Sequence, residues 1–322
     1  MLIEKSYNKL HPYCENQVWE EFNRNIKKDK ISSCIIVKDG TTILEYFKNA
    51  KKAKKQQKIN SCTKSFLSAL IGIAIDKGYI ESVEVLVSNY FPDLIHEQED
   101  KRKRNLTLYH LLTMSDGLNF PEWGEWNAFA PMIYSSDIVK FVLDRPLEYS
   151  PGEKMNYNSG CSHVLTAILQ KATSMTALEF AKKYLFGPMG IFDVHWHSDR
   201  QNINRGADGL TITVADLVKF GQLYLQEGKW NQKQLISKDW VRASTKGNLV
   251  TYPHIGSYGM HWWATKIQVL GDEEEMYFAL GHGGQYIIVI PTLKIVTVMT
   301  SELYEHSLRP MQFFKQLFEK VT

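Results

Sequence analysis

Ser61 and Lys64 stand three residues apart at the head of an apolar run, a spacing that sets a hydroxyl and an amine side by side on one helical face. A serine hydroxyl attacks poorly until a neighbouring base takes its proton. A lysine kept from its charged state by burial or by another cation can be that base. Oriented N–H groups at a helix N-terminus favour negative charge on the serine oxygen. The same spacing recurs at Ser6 and Lys9, but in a polar stretch with no apolar run behind it. Ser61 instead precedes Phe66, Leu67, Leu70, Ile71, Ile73, Ala74 and Ile75, and Gly78 closes the run. That pattern predicts a helix buried nearly all round and ended by a left-handed glycine. Ser61 is therefore a candidate nucleophile and Lys64 its candidate base.

A serine–lysine pair needs a group that passes the proton to the leaving atom, and a tyrosine beside the lysine suits this because ammonium charge stabilises its phenolate. Tyr157 lies between a Pro151-Gly152 turn and a helix start at Ser159-Gly160, on the kind of loop that carries catalytic groups. Gly281-His282-Gly283-Gly284-Gln285 sits between two strand-like runs, and glycines inside a strand mark a bulge or a close approach by another molecule. With a substrate along this edge, the backbone N–H groups of Gln285 and Ser61 would form an oxyanion hole. No βαβ unit surrounds these glycines, which argues against nucleotide binding.

The elements that must position these residues follow from the hydrophobic pattern. With 322 residues, 44% hydrophobic and 12% aromatic, the chain can bury one large or two interlocked domains. Strands are expected over 34–38 and 42–47, joined by the hairpin dipeptide Asp39-Gly40. Helices are expected over 136–143, 160–172, 177–185 and 215–225, the last with a capping box from Thr213 to Asp216. Strands then recur over 258–265, 277–280, 285–290 and 295–300, before a final helix over 310–320. This order implies an α/β (α+β) fold in which an antiparallel sheet, built from the N- and C-terminal segments and flanked by helices, receives a mostly helical inserted domain. Residues 1–105 and 205–322 would form the α/β sandwich and 106–204 the helical domain. The Ser61 helix falls at their boundary, a usual place for a pocket.

Composition excludes several classes of function. A formal net charge of +3 is too small to make nucleic acid a main partner. The basic runs Lys51, Lys52, Lys54, Lys55, Lys58 and Lys101, Arg102, Lys103, Arg104 lack interleaved aromatics and read as solvated loops. No leader-like segment opens the chain and no apolar stretch reaches about 18 residues, so a cytoplasmic protein that does not engage a membrane is expected. Cys14, Cys34, Cys62 and Cys161 are irregularly spaced, which fits reduced thiols, with Cys62 a packing residue. His195-Trp196-His197 puts two imidazoles on one strand face without a third ligand. Neither a metal nor a cofactor is expected.

Taken in order, Ser61-x-x-Lys64, Tyr157-Asn158-Ser159 and His282-Gly283-Gly284 resemble the three signatures of the penicillin-recognising serine hydrolases. The likeness is greatest to the branch of class C β-lactamases, their esterase relatives and 6-aminohexanoate-dimer hydrolases. It extends through 111–118, Pro151-Gly152, Asp216 and 220–225. The resemblance implies a β-lactamase/transpeptidase-like fold, with Ser61 acylated, Lys64 accepting its proton, and Tyr157 relaying that proton and later activating water. Which of Lys64 and Tyr157 is the primary base stays open. Ser115-Asp116-Gly117 looks like the S-D-N element of class A enzymes, but in a class C-like layout it reads as a structural turn.

Two departures bear on the substrate. Ser159 stands where class C enzymes carry the asparagine of Tyr-x-Asn, and His282 and Gly283 replace the lysine and threonine of Lys-Thr-Gly. A histidine near its ordinary pKa is mostly neutral at pH 7, and glycine offers no hydroxyl to a substrate carboxylate. The expected substrate is a small ester or amide, bound by Ser159, His282, Gly283, Gly284 and Gln285, with Trp123 and Trp126 either lining an acyl pocket or packing in the core. A β-lactamase or penicillin-binding D,D-peptidase is the alternative within the family. A non-catalytic sensor or scaffold that retained the fold is the alternative of another class.

Overall fold

Strands dominated by apolar residues on both faces need cover on both, and the runs Gln285–Ile290 and Ile295–Ser301, buried at every position, find it in the middle of an eight-stranded antiparallel sheet. The computed structural model describes residues 16–96, 99–123, 127–269 and 271–319. Its N-terminal part runs α1 (Asn16–Lys28), β1 (Ile31–Lys38), β2 (Thr41–Phe47), α2 (Ala50–Lys54), β3 (Gln57–Lys58) and α3 (Thr63–Asp76). Short helices lead to α4 (Ser159–Thr173), followed by β4 (Val194–Trp196), β5 (Leu210–Ile212) and α5 (Val214–Leu225). The C-terminal part holds β6 (Leu249–Val250), β7 (Ser257–Tyr258), β8 (Trp263–Val269), β9 (Asp272–Gly281), β10 (Gln285–Ile290), β11 (Ile295–Ser301) and α6 (Arg309–Glu319).

The large sheet has the order β2-β1-β11-β10-β9-β8-β7-β6, so the N-terminal hairpin closes onto strands from the far end of the chain. Cys34 lies opposite Met299 and Ile36 opposite Thr297. Asp39 and Gly40 both adopt left-handed backbone, with φ of 49° and 73°, as a tight hairpin turn demands. Side chains alternate between two cores. Tyr286, Ile288 and Ile290 join Trp19, Phe22, Phe314 and Phe318 from α1 and α6. Ile287 and Val289 join Phe66 and Leu70 of α3 and Phe220 of α5. At Gly221 of α5 a Cβ would lie 2.5 Å from Val296, so the missing side chain lets the helix approach the sheet. A second sheet, β3-β5-β4, brings Lys58 beside Thr211 and His195 beside Thr211 on its other side.

The mixed α/β fold expected from the sequence is the fold observed, with three local differences. The segment 258–265 is not one strand: β7 ends at Tyr258, His261 turns through a left-handed φ of 63°, and β8 begins at Trp263. The break is drawn inward by hydrogen bonds, because the His261 N–H donates to the Leu112 carbonyl and the His261 carbonyl accepts from Ser65. Strand β9 starts five residues before the apolar run at Tyr277, since Glu273, Glu274 and Glu275 continue the ladder opposite Gln268, Ile267 and Lys266. Helix α1 carries Val18, Trp19, Phe22 and Ile26 on one face, a helical spacing that sequence reasoning passed over. No helix among the described residues is long and apolar enough to cross a membrane.

Because α1 packs its aromatic face on the sheet, truncating Phe22, which is buried to within 2% of full occlusion, should be expensive. Phe22→Ala is expected to cost about 3–5 kcal/mol in a urea titration. An unfolding midpoint no lower than that of the exposed-site control Glu20→Ala would show that α1 does not contribute to the core.

Candidate active site

Ser61 sits in a single 3-10 turn, Asn60–Cys62, that runs into α3. Its neighbours fasten it to the β9–β10 turn. The Asn60 side chain donates to the His282 carbonyl at 2.6 Å, and the Cys62 thiol donates to the Gln285 carbonyl at 3.3 Å. At Gly281 a Cβ would stand 2.2 Å from the Ile59 carbonyl oxygen, so only glycine permits this approach. Asn60 itself is left-handed, with φ of 49°, a conformation asparagine tolerates better than most residues.

Lys64 is one turn further on and only 1% exposed. Its ammonium donates to Ser61 Oγ at 3.0 Å, to Ser159 Oγ at 3.1 Å and to the Ala207 carbonyl at 3.1 Å. Three donors therefore meet three acceptors from three separate segments. Ser159 in turn donates from its hydroxyl to Glu122 Oε1 at 2.6 Å and from its backbone N–H to Glu122 Oε2 at 2.9 Å. Glu122 thus caps α4 and is linked to Lys64 through one hydroxyl. No motif pointed to it, and its only sequence-level signal is an acidic residue after the Ser115-Asp116-Gly117 turn.

Tyr157 lies over the same ammonium, with Lys64 Nζ 4.9 Å from the ring centre. Trp263 stacks on it at 5.9 Å, Trp123 lies 5.7 Å away and Tyr258 meets it edge-on at 6.4 Å. Burial raises the pKa of its phenol, against the Lys64 charge and hydrogen bonds with Ser61 and Lys64 that act to lower it. Its phenol oxygen is thus within reach of both partners. Asn158 caps α4 by accepting from the Gly160 N–H at 2.9 Å, and donates to Asp116 Oδ1 at 3.0 Å. Asp116 also accepts from the Leu118 N–H, so the Ser115-Asp116-Gly117 segment is a turn that holds the Tyr157 loop.

Ser61, Lys64, Tyr157 and Ser159 are therefore brought together. A cavity of about 660 Å³ opens over Ser61, walled by Glu122, Trp123, Tyr157, Trp263 and His282. His282 reaches it from the turn, with Nδ1 3.4 Å from Ser307 Oγ and its ring 5.2 Å from Tyr304. Gly283 and Gly284, both at φ of 81°, form the turn itself rather than part of a strand, because β9 ends at Gly281 and β10 starts at Gln285. The Gly283 N–H is taken by Ser307, and the carbonyls of both glycines accept from Ser301. Gln285 points its amide at the Ser301 carbonyl, 2.7 Å away, so only its backbone is placed near Ser61. Trp123 is 63% exposed and borders the cavity, whereas Trp126 lies outside the described residues. Cys14 and the Ser6 copy of the motif also lie outside them. Cys34, Cys62 and Cys161 are buried free thiols. His195 and His197 touch each other at 3.3 Å, and no group of three metal-ligating side chains occurs among the described residues.

His261 is a further support that sequence reasoning passed over. Its Nδ1 lies 2.8 Å from the Leu112 carbonyl and must donate there, so Nε2 accepts from the Ser162 hydroxyl at 3.0 Å. With Ser65 bound to its carbonyl, this residue ties α3 to α4 just behind Lys64. Burial, helped by the nearby Lys64 charge, pushes its pKa down from an ordinary 6.5 to about 3.

Known proteins resemble the chain along nearly its whole length. The sequence model of the Beta-lactamase family matches residues 32–312. A 6-aminohexanoate-dimer hydrolase of Paenarthrobacter ureafaciens is 20% identical over 309 residues, spanning 87% of this chain and 75% of that protein. A lovastatin esterase of Penicillium rubens is 30% identical over 105 residues, 31% of this chain and 26% of the esterase. Among solved structures, the octameric penicillin-binding protein homologue from Pyrococcus abyssi shares the fold at a TM-score of 0.72 and 18% identity, covering 94% of this chain and 78% of that one.

The depressed pKa of His261 has a stability signature. The native state keeps the ring neutral while the unfolded chain protonates it below about pH 6.5, so stability is lost as pH falls through that value. The contribution is up to about 1.4 kcal/mol per pH unit. Urea titrations between about pH 7 and pH 5 should show this slope in the native sequence and a slope smaller by up to one proton in His261→Gln. Equal slopes would mean that the buried imidazole is not neutral.

Proposed function

The chain belongs to the Beta-lactamase family, and from that premise we propose that it is a serine hydrolase cleaving a small ester or amide through an acyl-enzyme on Ser61. The observation that carries this reading is the buried Lys64 amine 3.0 Å from Ser61 Oγ, with Tyr157 over it. For attack the Lys64–Tyr157 pair must first have given up one proton, leaving either a neutral amine beside the phenol or a phenolate beside the ammonium; Ser61 then attacks the substrate carbonyl and its proton fills that vacancy. The tetrahedral oxyanion is received by the backbone N–H groups of Ser61 and Gln285, which belong to the two segments joined by the Asn60 and Cys62 hydrogen bonds. Tyr157 then protonates the departing alcohol or amine, and the same pair takes a proton from the water that releases the acid. None of these steps uses a metal or cofactor.

Relatives named as a 6-aminohexanoate-dimer hydrolase and a lovastatin esterase support hydrolysis as the reaction class. The third motif argues against a β-lactam substrate. His282 and Gly283 stand in place of the lysine and threonine, and the Gly283 N–H is already bonded to Ser307. Each lost charge-assisted contact to a substrate carboxylate is worth roughly 1.5–3 kcal/mol.

A fluorophosphonate probe should add its mass to the peptide containing Ser61, and Ser61→Ala should abolish both labelling and hydrolysis of p-nitrophenyl acetate. Lys64→Met and Tyr157→Phe should each lower kcat by about 10²–10⁴-fold in protein that still melts cooperatively. A folded native protein that is neither labelled nor active on esters, amides or lactams, matching Ser61→Ala in every assay, would instead mark a non-catalytic scaffold.

A further inference from the structure

The lysine run between β2 and α3 is largely exposed, and it lies beside the Ser61 cavity. Lys52, Lys54, Lys55 and Lys58 line one bank of a second cavity of about 680 Å³, whose opposite bank includes Gln285 and Tyr304. The two cavities share a wall, because Lys58 borders both this cleft and the one over Ser61. Tyr304 stands against the His282 ring, which lines the Ser61 cavity. Gln285, whose backbone faces the nucleophile turn, lines the basic side.

Charge in the cleft does not cancel. Two carboxylates, Asp193 and Glu302, face the four ammonium groups. Glu302 is held by Lys52 at 2.8 Å, and Asp193 accepts from the Gln56 side chain at 2.6 Å. No carboxylate among the described residues pairs with Lys54, Lys55 or Lys58. Lys52, Lys48 and Lys30 also pull the Glu302 carboxyl below its ordinary range, as a positive field would. The walls of the Ser61 cavity are, by contrast, largely aromatic and aliphatic, from Trp123, Tyr157, Trp263 and Leu280.

An apolar cavity over Ser61 that adjoins, at Lys58, a cleft with surplus ammonium charge fits a substrate with two unlike ends. We propose that the substrate carries an anionic group, such as a carboxylate, which lies among Lys54, Lys55 and Lys58 while the scissile carbonyl sits over Ser61. This rests on the serine hydrolase reading and narrows it to amphiphilic, anionic esters or amides. The recognition differs from that of a Lys-Thr-Gly motif, since the cations come from the α2–β3 segment rather than from the β9–β10 turn.

The test compares kcat/KM for matched pairs that differ in one carboxylate. The pair 4-nitrophenyl hemisuccinate and 4-nitrophenyl butyrate puts the charge on the acyl side. The pair 4-acetoxybenzoate and its methyl ester puts it on the leaving group. In at least one pair the anionic member should be preferred roughly tenfold or more, mainly through KM and more strongly at low salt. The preference should collapse in Lys54→Ala/Lys55→Ala/Lys58→Ala and reverse in Lys54→Glu/Lys55→Glu, with unaltered melting curves certifying the fold. Ser61-dependent hydrolysis with no anionic preference, or a preference that survives the triple substitution, would overturn this inference alone. Absence of Ser61-dependent hydrolysis of all four esters would overturn the hydrolase reading and this inference with it.

Discussion

A buried ammonium is the constraint around which the rest is arranged. Removing Lys64 from water costs several kcal/mol unless each of its protons is bonded and a counter-charge is near. The fold meets both conditions with groups that are remote in sequence: the start of α3 through Ser61, the start of α4 through Ser159, and the loop before β5 through the Ala207 carbonyl. Glu122 supplies the counter-charge one hydroxyl away, while also capping α4. Moving any one of these segments would strand a donor in the interior. The pair that performs the proposed chemistry is thus also a strong reason for three segments to meet where they do.

A second constraint acts on Ser61 from the other side. The peptide at Ile59 lies so close to Gly281 that no side chain fits between them, and the flanking residues Asn60 and Cys62 each bond one carbonyl of the β9–β10 turn. That turn leads into β10, a central strand buried at every position, so the position of Ser61 is referenced to the interior of the sheet. The link is one close backbone approach and two side-chain-to-backbone hydrogen bonds.

What could be read in the sequence follows from how local each signal is. Ser61 and Lys64 lie one helical turn apart, so their meeting needs only the helix, and the apolar run announces it. Asp39-Gly40 and the continuous strands 285–290 and 295–300 were equally legible, because turn chemistry and burial on both faces leave marks in consecutive residues. Glu122, Ala207 and His261 left no such mark. Each acts through a contact spanning dozens to hundreds of residues, and a lone acid, a backbone carbonyl and a lone histidine carry no pattern of their own. The inward dip at His261 also explains why one apparent strand, 258–265, is two. Its hydrogen bonds to Leu112 and Ser65 outweigh a β-prone sequence, a tertiary override that no local rule detects. Helix α1 is the opposite case, since its aromatic stripe was visible and simply passed over.

The replacement of a cationic third motif by His282-Gly283-Gly284 alters the electrostatics on one side of the site, and the surplus lysines alter them on the other. Beside Ser61, the Lys64 and Glu122 charges are linked through the Ser159 hydroxyl and offset each other. Beyond Lys58 the balance is positive, with Lys54 and Lys55 unmatched. Coulomb attraction between partly exposed charges decays over a Debye length of roughly 8–10 Å, so lysines on the rim of an adjoining cleft act on an approaching anion before it reaches the aromatic walls. In the proposed reading the two functions separate: proton transfer is confined to a buried, charge-paired centre, and charge recognition is left to an exposed bank. Such a division lets the bank change its substrate preference by surface substitutions without disturbing the acceptors that a buried Lys64 requires.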